Sequence, residues 1–146
     1  MSALYLVSCV AGKAAGPRPA RDLYTSDWFL KARAYVESTG GRWLILSALY
    51  HCVSPDTVLA PYDFSLIQAD SNDRIRRQVW SNTTADLIAR SVFHGTPIVI
   101  LAGHAYREFL TPALEKRGFP VTVPMAGLGI GQQKRWMMEH TARPAA

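Results

Sequence analysis

Leu4-Tyr5-Leu6-Val7-Ser8-Cys9 is an apolar run that stops on two small polar residues. Three later runs repeat that shape. Trp43-Leu44-Ile45-Leu46 leads into Ser47-Ala48, and Ile98-Val99-Ile100-Leu101 leads into Ala102-Gly103. Val121-Thr122-Val123 leads into Pro124 and then Gly127-Leu128-Gly129-Ile130-Gly131. Runs that are apolar at every position suit strands buried on both faces. Helix-like stretches separate them, and that alternation predicts an α/β fold with a four-stranded parallel sheet. Right-handed crossovers put helices on both faces, a three-layer sandwich, with strand order 2-1-3-4 or 2-1-4-3. Ligands of such sheets collect at the strands' carboxyl ends.

Working outward, the first strand spans 3–8 and a loop follows from Val10 to Arg21. Thr25 or Ser26 caps the first helix, whose Trp28, Phe29, Ala32 and Val36 recur at helical spacing. The second strand is 42–47. The stretch 48–71 is long for a connection inside a compact domain, which marks it as functional or as carrying small elements of its own. The second helix runs over about 72–90, with Ile75, Val79, Leu87 and Ala89 on its apolar face. The third strand is 97–101. Pro112 lacks an amide proton, so a helix after Gly103 is expected to break there and restart with Thr111 as cap. The fourth strand is 120–123, the last helix is 130–140, and the tail 141–146 is expected to fray.

The 146 residues form one domain with no internal repeat or linker. A chain of this length buries about 68–70% of its extended surface on folding. No apolar run approaches the roughly 18 residues that span a bilayer, and no signal peptide is evident, so no membrane partner and a cytoplasmic location are expected. Cys9 and Cys52 do not make a disulfide framework. With His51, His94, His104 and His140 they show no metal-ligand spacing, so no metal is expected. The net charge of +5 permits a polyanionic partner, a nucleotide or a nucleic acid, without requiring one. Oligomeric state is not legible.

Four segments carry candidate chemistry. Ser8-Cys9-Val10-Ala11-Gly12-Lys13 lets a ligand approach the backbone, with Lys13 to meet a phosphate; it is not a P-loop. The long loop brings His51, Asp56, Tyr62 and Asp63 near Ser47. A carboxylate there can orient water while an aromatic ring stacks a base, the parts needed to cleave a glycosidic bond; both Asp56 and Tyr62-Asp63 also suit turns. Gly127, Gly129, Gly131 and Gln132 lie between a strand and a helix, where amides favour an anion. A dinucleotide fingerprint belongs after the first strand, so NAD is not expected, nor any other cofactor. Gly103, His104 and Arg107 stand at the start of a helix beside the same strand ends.

Taken in order, Leu6-Val7-Ser8-Cys9, Lys13, Asp22-Leu23-Tyr24-Thr25-Ser26, Leu46-Ser47-Ala48, Pro55-Asp56-Thr57, Pro61-Tyr62-Asp63, Leu101-Ala102-Gly103, Tyr106-Arg107-Glu108 and Gly127 to Gln133 resemble the DUF6884 family over nearly the whole chain. Here Cys9-Val10-Ala11-Gly12-Lys13 stands for a Cys-Gly-Lys-like exit and Tyr50-His51-Cys52 for Tyr-Gly-Leu. The family's function is not established. Its layout resembles the uracil-DNA-glycosylase type, which implies a base at the strand ends and phosphate on a backbone loop. No acid on the first strand matches the water-activating aspartate of that type, so its mechanism does not carry over. The expectation is a base-handling N-glycosidase. Asp63 or Asp56 acts on water, Tyr62 or Tyr24 stacks the base, and Lys13 with the amides near Gly129 to Gln132 holds phosphate. The alternative is a non-catalytic nucleotide- or nucleic-acid-binding module. In a third reading the motifs serve the fold alone and Trp28, Trp80 and Trp136 pack cores or partner surfaces.

Overall fold

The computed structural model describes residues 2–9 and 12–142. Val10 and Ala11 of the first strand's exit, and positions 143–146 of the tail, lie outside the described residues. The elements run β1 (Leu4–Ser8), β2 (Arg18–Pro19), α1 (Ala20–Leu23), α2 (Asp27–Thr39), β3 (Arg42–Ser47), β4 (His51–Val53), β5 (Val58–Leu59), α3 (Asp73–Ser91), β6 (Ile98–Leu101), α4 (His104–Lys116), β7 (Val121–Thr122) and α5 (Ile130–His140).

The main sheet has five strands in the order β4-β3-β1-β6-β7. β1 lies between β3 and β6, parallel to both, with Leu6 opposite Leu44 and Ile100. β7 adds to β6 in parallel through Ile98 and Val121. The four anticipated strands therefore stand second-first-third-fourth, but the sheet is mixed, not purely parallel. After β3 the chain turns back on itself and β4 pairs antiparallel at the edge, with Ser47 opposite His51. His51 takes the left-handed conformation at φ 67°, and the Tyr50 amide donates to Ser47 Oγ at 3.1 Å. A three-residue strand is too short to show alternation, so the sequence hides it. The remainder of the long stretch contributes β5, which pairs with β2 in a two-stranded sheet.

Each sheet face carries its own core. Leu4, Leu6, Leu44, Leu46, Ile98 and Ile100 pack against α3 and α4. Val7, Ile45 and Leu101 pack against α2, with Met137 of α5 in the same cluster. Ser26 caps α2 by accepting from the Phe29 amide at 3.1 Å, and Trp28, Phe29, Ala32 and Val36 are buried as their spacing predicts.

Two helices depart from expectation. In α3 the buried face is Trp80, Ser81, Thr84, Ala85 and Ile88, while Ile75 and Val79 face solvent. Small hydroxyl residues let the helix sit close to the sheet, and a purely apolar reading misses them. α4 runs unbroken through Pro112. The proline ring lies on an exposed position, and burial of Leu110, Ala113 and Leu114 on the other face offsets the missing hydrogen bond. Arg77 ties α3 to α4 by reaching Asp73 at 3.0 Å and Glu108 at 2.6 Å.

Candidate functional site

β1, β3 and β6 end side by side, which brings Ser8-Cys9, Ser47-Ala48 and Ala102-Gly103 to one edge of the sheet. The segment 60–67, which has no regular structure, carries Tyr62 to that edge. Tyr62 Oη lies 2.6 Å from Tyr24 Oη and 2.7 Å from Ser47 Oγ. Three hydroxyls bring three protons to these two contacts, so one proton points elsewhere. Cys9 Sγ, 3.9 Å from Tyr62 Oη, can take it as a weak acceptor. Tyr106 Oη, from the first turn of α4, stands 3.6 Å from the same sulfur.

Burial first, then the charge of an ionised Cys9, pushes the Tyr62 phenol up to about 12. Burial, followed by the hydrogen bond that Tyr24 donates to Tyr62, raises Tyr24, and burial followed by Cys9 raises Tyr106. All three phenols are thus neutral near pH 7. Trp80 supports the cluster from below: its Nε1 donates to the Ser47 carbonyl at 2.9 Å and its ring meets Tyr106 edge-on. The His51 ring stacks on the same indole.

Lys13 enters from the other side. The Ala14 amide donates to the Leu23 carbonyl at 2.8 Å and the Thr25 amide to the Gly12 carbonyl at 3.1 Å. Gly12 has φ +106°, where a side chain would be strained. So held, Lys13 places Nζ 4.5 Å from the Tyr62 ring centre and 5.9 Å from that of Tyr24. Cys9 and Tyr106 of the cluster line a cavity of about 400 Å³ together with Lys13, Asp63, Phe64 and Ile67, among others. Lys13 and Asp63 share this cavity, yet they form no ion pair with each other or with any other described residue.

The anticipated site residues divide on this geometry. Cys9, Lys13 and Asp63 line the cavity. Tyr62, Tyr24 and Ser47 do not line it; Tyr62 bonds the other two and meets the Cys9 sulfur, Tyr24 is 1% exposed and cannot stack on a ligand, and one Tyr62 face is taken by Lys13. Ser8 is buried with its hydroxyl unpartnered. Asp56 is not brought to the cavity. It pairs with Arg21 and lines a separate hollow with Trp43 and Pro55. Gly103 caps α4, and Arg107 on that helix does not line the cavity.

The glycine loop also stays apart, so the four segments do not close on one pocket. Gly127 needs its freedom at φ +82°. The Gly129 amide, expected to meet an anion, donates instead to Gln132 Oε1 at 3.0 Å. Gln133 accepts from Trp28 Nε1 at 2.9 Å and fastens the loop to α2. No residue of Gly127, Gly129, Gly131 or Gln132 lines the cavity. Phe64, Ile67 and Tyr106 were not anticipated as lining residues. The signal was their place: Phe64 directly follows Tyr62-Asp63, and Tyr106 lies one helical turn after a strand end.

Among the described residues, no group of three or more His, Cys, Asp or Glu is placed to hold a metal ion, and no helix is long and apolar enough to cross a membrane. No curated protein matches the chain. A family model does, over residues 4–139, and it describes a family of unknown function. With nearly its whole length matched, the chain belongs to the DUF6884 family.

Proposed function

We propose that the cavity is the active site of an N-glycosidase that releases a base from a nucleotide or nucleic acid. One observation carries the reading: a carboxylate, Asp63, and an ammonium, Lys13, neither in an ion pair among the described residues, line the same cavity at the strands' carboxyl ends. Asp63 is exposed, so its carboxylate is held by solvent and stays accessible to a ligand. Kept apart, Asp63 and Lys13 are each free for a different part of one ligand.

In this mechanism Asp63 takes a proton from water as the water oxygen attacks the sugar carbon. The carbon–nitrogen bond breaks, its electron pair leaves on the base, and the base takes a proton from solvent. Lys13 holds the phosphate, steadied by the Tyr62 ring. Phe64, 41% exposed on the cavity wall, offers the ring face that Tyr24 and Tyr62 cannot. The neutral phenols add no negative charge that would repel phosphate.

Chromatography of free base, after incubation with nucleoside monophosphates and with single-stranded oligonucleotides, tests the reading. The wild-type chain releases base, and Asp63→Asn lowers release by about 10²–10⁴-fold while leaving binding intact. Equal release by the variant removes Asp63 from the mechanism. Binding without release by the wild-type chain would instead favour the non-catalytic module.

A further inference from the structure

A second hollow, of about 670 Å³, opens at the opposite edge of the sheet. It lies where β1 and β3 begin and α3 ends, so the length of the strands separates it from the Asp63 cavity. Its walls include Leu4, Val92 and Phe93, and Phe93 is 84% exposed, the most exposed large apolar side chain among the described residues. Arg42 and Arg90 complete the rim.

These two arginines differ from Arg33, Arg77 and Arg117, each of which has a carboxylate partner. No carboxylate lines the hollow, and neither Arg42 nor Arg90 pairs with one among the described residues. Arg42 spends one N–H on the Ser91 carbonyl at 3.0 Å, which covers a carbonyl at the end of α3. A guanidinium has five N–H donors, so most of the fork is left over. The hydroxyls of Ser91 and Thr96 are already engaged. Ser91 Oγ donates to the Leu87 carbonyl at 2.7 Å, and Thr96 Oγ1 to the Phe93 carbonyl at 2.6 Å. Among the described residues, the charged donors of this wall are those of Arg42 and Arg90, set beside an exposed aromatic ring.

We infer that this hollow is a second binding site, for an organic anion with a flat apolar body: the anion meets Arg42 and Arg90, and the body packs on Phe93 and Val92. A planar carboxylate suits the guanidinium fork, and a flat ring suits the phenyl face. The site is independent of the proposed glycosidase activity.

Calorimetric titration with naphthalene-acetate and with its uncharged amide tests the inference on the full chain. The acid binds about tenfold or more tightly than the amide, the effect of one charged hydrogen-bonded contact. Arg90→Gln, which breaks no side-chain hydrogen bond among the described residues, removes that preference. Phe93→Ala weakens acid and amide alike. Equal affinity for both probes, a preference that survives Arg90→Gln, or no binding at millimolar concentration would overturn the assignment. A third probe, acetyl-Trp-Glu-amide, presents the same chemistry on a peptide. Tighter binding of this peptide places the anion on a partner chain, and tighter binding of naphthalene-acetate places it on a free small molecule.

Discussion

Tyr62 and Ser47, fifteen residues apart, share a hydrogen bond of 2.7 Å that fastens an irregular segment to the end of β3. Asp63 follows Tyr62, so the bond anchors the backbone from which the proposed catalytic carboxylate projects. The same hydroxyl also meets Tyr24 Oη at 2.6 Å. Removing it strands two oxygens in a partly buried place. Tyr62→Phe keeps the ring beneath Lys13 and is expected to cost about 1–3 kcal/mol. Urea denaturation measures the loss; an unchanged midpoint would show that the hydroxyls re-pair without Tyr62.

Alkali acts on the same cluster. The Tyr62 phenol is pushed up to about 12 from a value of 10.0, and Tyr24 and Tyr106 shift the same way. The folded chain holds these protons more tightly than the unfolded chain. Their contribution is therefore fully present below about pH 10 and is lost as pH rises through 12. The urea midpoint falls across that interval, while phenolate absorbance shows these groups still protonated as pH 10 is passed. A flat stability profile from pH 9 to 12 would contradict the burial argument.

Pro112 stands in the third turn of α4 on an exposed position. Alanine there restores an amide that can donate to the Glu108 carbonyl. Proline costs about 3 kcal/mol relative to alanine inside a helix, and its restriction of the unfolded chain returns about 0.4–1 kcal/mol. Part of the rest is already relieved by local adjustment, so Pro112→Ala is expected to raise stability by about 1–2 kcal/mol. A higher melting temperature reports the gain. A lower one would mean that the ring makes packing contacts worth more than the hydrogen bond.

Much of this architecture is legible before folding because burial on two faces leaves a strong mark. Leu4 to Val7, Trp43 to Leu46 and Ile98 to Leu101 are apolar at every position, which only central strands require. Ser26 announces α2 through its own side chain. The edge strand at His51 to Val53 leaves no such mark, since three residues cannot show a period. Pro112 misleads because local preference is overruled by the packing of Leu110, Ala113 and Leu114. At the proposed site, the strand ends and the loop after them bring Cys9, Lys13 and Asp63 to one cavity. Asp56 and the glycine loop lie apart from it, where Asp56 pairs with Arg21 and the Gly129 amide donates to Gln132, contacts that local sequence does not reveal.

Lys13 and Asp63 make separable contributions if they grip different parts of one substrate. Asp63→Asn removes the acceptor for the water proton and is expected to lower kcat by about 10²–10⁴-fold with KM unchanged. Lys13→Met removes charge but keeps length. It is expected to raise KM about tenfold for a phosphate-bearing substrate, with kcat retained and little effect on the nucleoside that lacks phosphate. Steady-state base release with nucleotide and nucleoside in parallel reads both effects. If Lys13→Met weakens the two substrates equally, Lys13 holds no phosphate, and its place over the Tyr62 ring serves only to order the loop that carries Asp63.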